Sequence, residues 1–383
     1  MRILHLIHAT TFGGVEAAAE HLRRALGSGR PDAAAQGTVE QGAVEHRNAA
    51  HEDISYTVAA LAGAPAGQQA VEADIAGEGV NSPRAALRLL REVRRTRPDV
   101  LVTSLWRVVA LGPLARRLSP GTRWVAWVHL SQYTNAADRA VHQWALPRAD
   151  LILCDSDASY EAIVRPALAR AGAAVPLRIV RPESTPLVAD GPGRTAPAYD
   201  EPLRLVFWGR MARQKRLDLV IELADEIGRR REAGVELLIA GPDDGEREAL
   251  EARAAAGPGT EITFSGPLDR DGVAAAASWA HMYVQLSDFE GFAMAAHEAL
   301  AAGMVCVLTP VGDLAVDVTD GVDAILHAGD VPATADRAIA LAADPAAFDS
   351  LGRAARSTAT STFADDFAAA CRDAVRGTGG GEA

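Results

Sequence analysis

The sequence predicts an α/β protein made of two Rossmann-like domains, and three observations carry that expectation. A length of 383 residues exceeds what one hydrophobic core usually serves. Short apolar runs alternate with segments of helical period, the pattern of βαβ units building a parallel sheet. Five prolines fall within the 21 residues "PESTPLVADGPGRTAPAYDEP" at 182–202, which have no hydrophobic periodicity and read as a linker. The expected organisation is a first domain at 1–185, a linker at 186–202, a second domain at 203–360, a closing helix at 361–376 packing back on the first domain, and a flexible tail at 377–383.

In the first domain the strands are "RILHLIH", "DVLVTSL", "RWVAWVH" and "ADLILCD". The Gly13-Gly14 turn leads from the first strand into the helix "VEAAAEHLRRAL". A second helix, 83–96, is signalled by Ser82 as N-cap, Pro83 at the first helical position and Pro98 beyond its end. Residues 30–80 are rich in Ala, Gly and polar side chains and carry no clear pattern. After the linker the strands resume as "LRLVFWG", "VELLIAG", "EITFSG", "HMYVQLS" and "MVCVLTP", most followed by a helix. "FADDFAAACRDAV" closes the chain as a helix.

Composition excludes several function classes. A net charge of −12 gives no global support to a nucleic-acid partner, because phosphate binding needs a concentrated positive field. Three scattered cysteines in apolar contexts make neither a metal ligand set nor a disulfide framework, which points to a reducing, cytoplasmic setting. No cleavable leader is apparent at the N-terminus and no apolar run is long enough to span a bilayer. Against 37 arginines there is one lysine, Lys215. A compact ammonium retained amid such a bias points to a place where arginine does not serve.

Two stretches carry the chemistry. In "YVQLSDFEGFAMAAHEAL", Glu290 ends a turn after a strand, and residues from Phe292 onward read as a helix containing Glu298, eight positions after Glu290. Ligands of open α/β sheets bind at the carboxyl ends of strands, so Glu290 is expected in a cleft, with the free amides of Phe292, Ala293 and Met294 suited to a phosphate. In "LVFWGRMARQKRLDLVIELADEI" the strand ends at Gly209, and Arg210 and Lys215 follow before a helix near Leu217. The two cations are expected to converge on one anion and screen it against Glu290.

Together these stretches resemble the retaining glycosyltransferases of family four, which have the GT-B fold of two Rossmann-like domains facing across a cleft. The resemblance spans most of the chain: the Gly-Gly loop, G-R-x4-K in "FWGRMARQK", "LLIAGPDDGE", "ITFSGPL", and E-G-F-x5-E in "EGFAMAAHE". It implies a nucleotide-sugar donor, UDP- or GDP-linked, as co-substrate, with no other cofactor and no metal. By motif position Arg210 and Lys215 bind the diphosphate, Glu298 the ribose hydroxyls and Glu290 the transferred sugar. Gly209, Gly291 and the amides of Phe292, Ala293 and Met294 add phosphate and sugar contacts. The backbone at Leu268 meets the base, Gly13 and Gly14 approach the phosphates, and His129 contacts the sugar. The implied mechanism is front-face attack by an acceptor hydroxyl, with a phosphate oxygen taking its proton and no enzymic nucleophile.

The sequence departs from the family pattern at Ala293-Met294, His297, "GMVCV", Leu130, "RPES" and Val316, where the family often places a glutamate. Two alternatives therefore stand beside glycosyl transfer: a nucleotide-sugar 2-epimerase on the same fold, and a non-catalytic nucleotide-binding relative. The acceptor class is a small molecule, a glycan or a lipid. "DSD" at 155–157 imitates a metal motif but is better read as a helix cap, and "DD" at 243–244 as a turn. The helix 83–96 carries Arg84, Arg88, Arg91 and Arg95 on one side, which reads as a solvated face or a weak peripheral membrane contact. His5 and His8 read as structural.

Overall fold

The computed structural model describes residues 1–11, 13–27, 51–64, 71–182, 195–257, 260–358 and 362–377. Residues 186–194 of the expected linker and 378–383 of the expected tail lie outside them. The chain divides into two compact units, Met1–Pro182 with Thr362–Ala383, and Glu183–Ser361.

In the first unit the strands are β1 (Arg2–Ala9), β2 (Ser55–Ala62), β3 (Ile75–Ala76), β4 (Val100–Ser104), β5 (Arg123–Val128), β6 (Leu151–Cys154) and β7 (Leu177–Ile179). All pair in parallel, in the order β3-β2-β1-β4-β5-β6-β7. Side chains alternate between two buried faces: Ile3 and Ile7 enter one apolar cluster, Leu4 and Leu6 the other. Covering both faces explains why the strands read as continuous apolar runs. The chain reverses direction across the sheet between β1 and β4, so their carboxyl ends form its switch point.

The second unit repeats the plan with β8 (Leu203–Trp208), β9 (Val235–Ala240), β10 (Thr260–Gly266), β11 (Met282–Gln285), β12 (Val305–Leu308) and β13 (Ile325–Leu326). They form a parallel sheet in the order β10-β9-β8-β11-β12-β13, with its switch point between β8 and β11. Leu205 and Phe207 pack on one face, Val206 and Trp208 on the other. The observed class, two parallel-sheet α/β units, is the one read from the sequence.

Several helix boundaries follow from local chemistry. Ser82 Oγ accepts from the Ala85 amide at 3.2 Å, Pro83 starts the helix Pro83–Thr96, and Arg97 ends it in the left-handed region at φ 44°. Arg84, Arg88, Arg91 and Arg95 are exposed on its outer face, while Ala85, Leu89 and Val93 are buried. The helix Phe363–Arg376 places Phe363, Phe367, Ala370 and Cys371 in a core cluster of the first unit, where its two phenyl rings meet Trp127 at centroid distances of 5.9 and 5.4 Å. No helix among the described residues is long and apolar enough to cross a membrane.

Candidate functional site

The switch point of the second sheet brings together the loop after β8, which holds Gly209, Arg210 and Lys215, and the loop after β11, which holds Glu290. Backbone and side-chain bonds clasp the two loops: the Asp288 amide donates to the Gln214 carbonyl at 2.8 Å, and Arg216 reaches both Asp218 and Asp288 at 3.0 Å. Lys215 Nζ then lies 2.7 Å from Glu290 Oε1, with the side chains 12% and 8% exposed. Gln285 Nε2 donates to the same oxygen at 3.1 Å, and Gln285 Oε1 accepts from the Tyr283 hydroxyl at 2.7 Å. Burial pushes the Tyr283 hydroxyl far above its ordinary range, so it stays a donor.

The Trp208 and Tyr283 rings meet in a tilted contact with centroids 4.4 Å apart, and Trp208 Nε1 donates to Glu298 Oε2 at 3.1 Å. Burial raises the Glu298 carboxyl above its ordinary range, with the Trp208 donor working in the opposite sense. Trp208 thus holds Glu298 directly, while its ring neighbour Tyr283 reaches Glu290 through Gln285.

The helix expected from Phe292 begins later, as Met294–Ala301. The reason is Ala293, which sits in the left-handed region at φ 58° and ψ 56° and cannot be part of a right-handed helix. Glu290 is therefore in the loop, not on the helix. The amides of Phe292, Ala293 and Met294 donate to no group among the described residues. Phe292 stacks on His297 at 3.9 Å and 11°, and His297 is fixed by the Ala293 carbonyl and Asp317 Oδ2 at 3.2 and 3.1 Å. Gly291 is met by Gly312, at φ 61°, whose Cβ as any other residue would lie 2.2 Å from the Gly291 carbonyl oxygen. Val316, in the segment that follows, is 72% exposed.

The two cations are each held by a carboxylate. Arg210 Nη1 pairs with Asp244 Oδ2 at 2.6 Å on an exposed edge, and Lys215 pairs directly with Glu290. Asp243 caps the turn, its Oδ1 accepting from the amides of Gly245, Glu246 and Arg247. Gly209, at φ 144°, lies so close to Gly241 that a Cβ on Gly241 would fall 1.7 Å from the Gly209 oxygen. Leu268 follows β10 and packs partly buried against the cluster around Trp208.

In the first unit, Gly13 is the extended N-cap of the helix Gly14–Leu26, and the space where its Cβ would stand is occupied by Glu16 Oε2 at 2.3 Å. The glycine at 13 thus makes room for the tip of a carboxylate from its own helix. His129 is 8% exposed and engaged at both nitrogens, Nε2 with Ser104 Oγ at 2.9 Å and Nδ1 facing Asp155 Oδ2 at 3.5 Å. Ser104 Oγ also meets His5 Nε2 at 2.7 Å, and His5 Nδ1 meets Tyr56 Oη at 2.6 Å. A polar chain therefore crosses the sheet from β2 to β6. In "DSD", Ser156 caps the next turn, Asp155 Oδ1 accepts from Ser159 Oγ, and Asp157 pairs with Arg181.

Trp208, Tyr283 and Gln285 escaped sequence reading. A glutamine inside the apolar run "HMYVQLS" was the available signal, since a buried amide needs partners.

Known proteins bear on this geometry. Residues 202–344 match the profile of the family described as Glycosyl transferases group 1. No curated protein sequence matches the chain. Among solved structures, Anabaena HepE in complex with UDP-glucose aligns at a TM-score of 0.70 and 15% identity, over 98% of each chain. Sucrose-phosphate synthase from Thermosynechococcus elongatus aligns at 0.68 and 18%, over 93% of each. The lipopolysaccharide outer core galactosyltransferase WaaB, in its apo form, aligns at 0.63 and 14%, over 99% of this chain and 100% of that one. The chain has the fold of the GT-B glycosyltransferases, and its likeness to Glycosyl transferases group 1 lies in residues 202–344, the stretch that holds the Lys215–Glu290 pair.

Proposed function

We propose that the protein is a retaining glycosyltransferase that moves a hexose-type sugar from a UDP- or GDP-linked donor to an acceptor hydroxyl without a metal. The observation that carries this reading is the buried Lys215–Glu290 pair beside three free amides at a sheet's switch point. The profile match over residues 202–344 and the UDP-glucose bound by a structural neighbour support it.

As the bond between sugar and diphosphate lengthens, negative charge gathers on the leaving group and positive charge on the sugar ring. Lys215, Arg210 and the amides of Phe292, Ala293 and Met294 stabilise the diphosphate, which supplies the role a metal would otherwise fill. Lys215 shares its charge between the diphosphate and Glu290, and Glu290 accepts hydrogen bonds from sugar hydroxyls. Glu298 accepts from the ribose, held by Trp208. The acceptor oxygen attacks from the leaving-group face, and its proton passes to a phosphate oxygen.

A thermal-shift panel of UDP, GDP, ADP and dTDP with their sugar conjugates tests the donor, since a ligand of the folded state raises its stability. Proton NMR of the product then reads the anomeric configuration, with and without EDTA. Retention that is insensitive to EDTA is the expected result. Inversion or EDTA-sensitive turnover overturns the mechanism, a donor epimerised at C2 establishes the epimerase alternative, and nucleotide binding without turnover marks a binding relative.

A further inference from the structure

Lys215 is the only lysine of the chain, and its Nζ meets Glu290 Oε1 at 2.7 Å. A flexible four-carbon stem ending in a point charge does not hold such a place by itself, because its bonds rotate freely. The constraint comes from its two neighbours along the chain.

Both of those neighbours bond to Asp288. On one side the Gln214 carbonyl accepts from the Asp288 amide at 2.8 Å, and on the other Arg216 Nη1 donates to Asp288 Oδ1 at 3.0 Å. Asp288 stands two positions before Glu290 in the loop after β11. A single residue thus brackets Lys215 from both sides and belongs to the loop that carries its partner.

Arg216 holds a backbone conformation that its residue type does not favour. It lies between the short turn Arg213–Lys215 and the helix Leu217–Arg230, at φ 45° and ψ 48° in the left-handed region. Glycine would adopt that conformation without cost, and the arginine side chain caps none of the helix amides. Its guanidinium is spread over two carboxylates instead: Nε and Nη2 lie 3.0 Å from Asp218 Oδ1 and Oδ2, and Nη1 takes Asp288. Asp218, in the first turn of the helix, aims the fork at Asp288. The side chains of Arg216, Asp218 and Asp288 are 33%, 43% and 51% exposed. Ion pairs so open to water add little stability, so what this fork supplies is geometry.

We propose that Arg216 and Asp288 are positioning residues for the Lys215 ammonium, stapling the loop after β8 to the loop after β11 so that Nζ stays at the Glu290 carboxylate and within reach of a donor's diphosphate. The link to a diphosphate rests on the glycosyl-transfer reading; the hold on Lys215 does not.

The test uses the full chain labelled with 13C-lysine, in which the sole lysine gives one ε-methylene signal, beside calorimetric titrations with UDP and GDP. The variants are Arg216→Gly, Asp288→Ala and the two together. Without nucleotide, both single variants are expected to move the Lys215 signal toward that of free lysine, in the same direction although they remove opposite charges, and the double variant moves it no further. Affinity for the nucleoside diphosphate is expected to fall about three- to tenfold in each single variant, the scale of one hydrogen bond, with no additional loss in the double. Asp288→Ala separates positioning from charge: deleting a carboxylate strengthens anion binding if charge alone counts and weakens it if Lys215 loses its place. Arg216→Gly separates positioning from stability, because glycine suits left-handed backbone and the urea midpoint is expected to stay at or above the parent's while affinity falls. The proposal is overturned if the Lys215 signal stays put in either single variant, if Asp288→Ala tightens binding, if the losses add in the double variant, or if Arg216→Gly lowers the midpoint and leaves affinity intact. Nucleotide binding with an unmoved lysine signal sinks this inference alone, whereas a moved signal in a protein that binds neither nucleotide leaves the staple standing and sinks the reading of a UDP- or GDP-linked donor.

Discussion

Lys215 Nζ meets Glu290 Oε1 at 2.7 Å across 75 positions of sequence, and both side chains are almost withdrawn from water. A pair so placed has paid its desolvation, so removing one partner strands the other. Lys215→Ala is expected to cost about 3–5 kcal/mol of stability by leaving Glu290 buried without its counter-charge. The double variant Lys215→Met/Glu290→Leu should recover most of that loss while turnover stays absent. Urea unfolding beside a turnover assay checks both, and full activity in the double variant would remove the pair from the mechanism.

Glu290→Gln keeps the side chain's shape and its contact with Gln285 but withdraws the charge. We expect kcat to fall about 10²–10³-fold, the scale of one lost transition-state contact, with the nucleotide Kd nearly unchanged. Isothermal titration with the nucleotide alone separates the two effects; equal losses in both would contradict the role assigned to Glu290.

Burial raises Glu298 above its ordinary value of 4.5, against the opposing pull of the Trp208 donor. For a carboxyl whose folded pKa is raised, the unfolded chain ionises first, so stability falls as pH rises from the unfolded value through the folded one. Glu298→Gln removes that penalty. It should match the parent protein below pH 4.5 and exceed it at pH 8, measured by denaturant midpoints at both pH values.

His5 is held down to about 3 by burial and by His129, and His8 to about 4 by burial and Arg107. Because the unfolded rings bind protons near 6.5, stability is expected to fall as pH drops from there toward 3. Each such proton contributes about 1.4 kcal/mol per pH unit. His5→Gln should flatten this slope by one proton's worth; an unchanged slope would mean that His5 does not supply it.

Ala293 and Gly312 define the backbone beneath the proposed phosphate site. Ala293→Val forces a β-branched residue into the left-handed region and should destabilise by more than about 1–2 kcal/mol, whereas Ala293→Gly should be neutral or stabilising. Gly312→Ala drives a Cβ toward the Gly291 oxygen and should weaken nucleotide binding along with the melting temperature. Thermal melts with and without UDP read all three.

Much of this architecture was legible in the residues. Runs such as "RILHLIH" and "LRLVFWG" announce strands because both faces of a parallel sheet are covered, and Ser82-Pro83 announces a helix because its first amides need a cap. The spacings G-R-x4-K and E-G-F-x5-E marked Arg210, Lys215 and Glu290 as loop positions beside strand ends and Glu298 as a position within the following helix.

Other features depend on contacts between distant segments, which local pattern does not encode. Ala293 has no sequence mark of its left-handed turn, so the helix starts two residues later than its periodicity implies. Glu16 fills the space over Gly13, and His129 is drawn into a polar chain with Ser104 and Asp155. Strands, caps and motif order thus follow from short-range chemistry. Which charges pair is settled by packing, because burial makes an unpaired polar group costly enough to select its partner from anywhere in the chain.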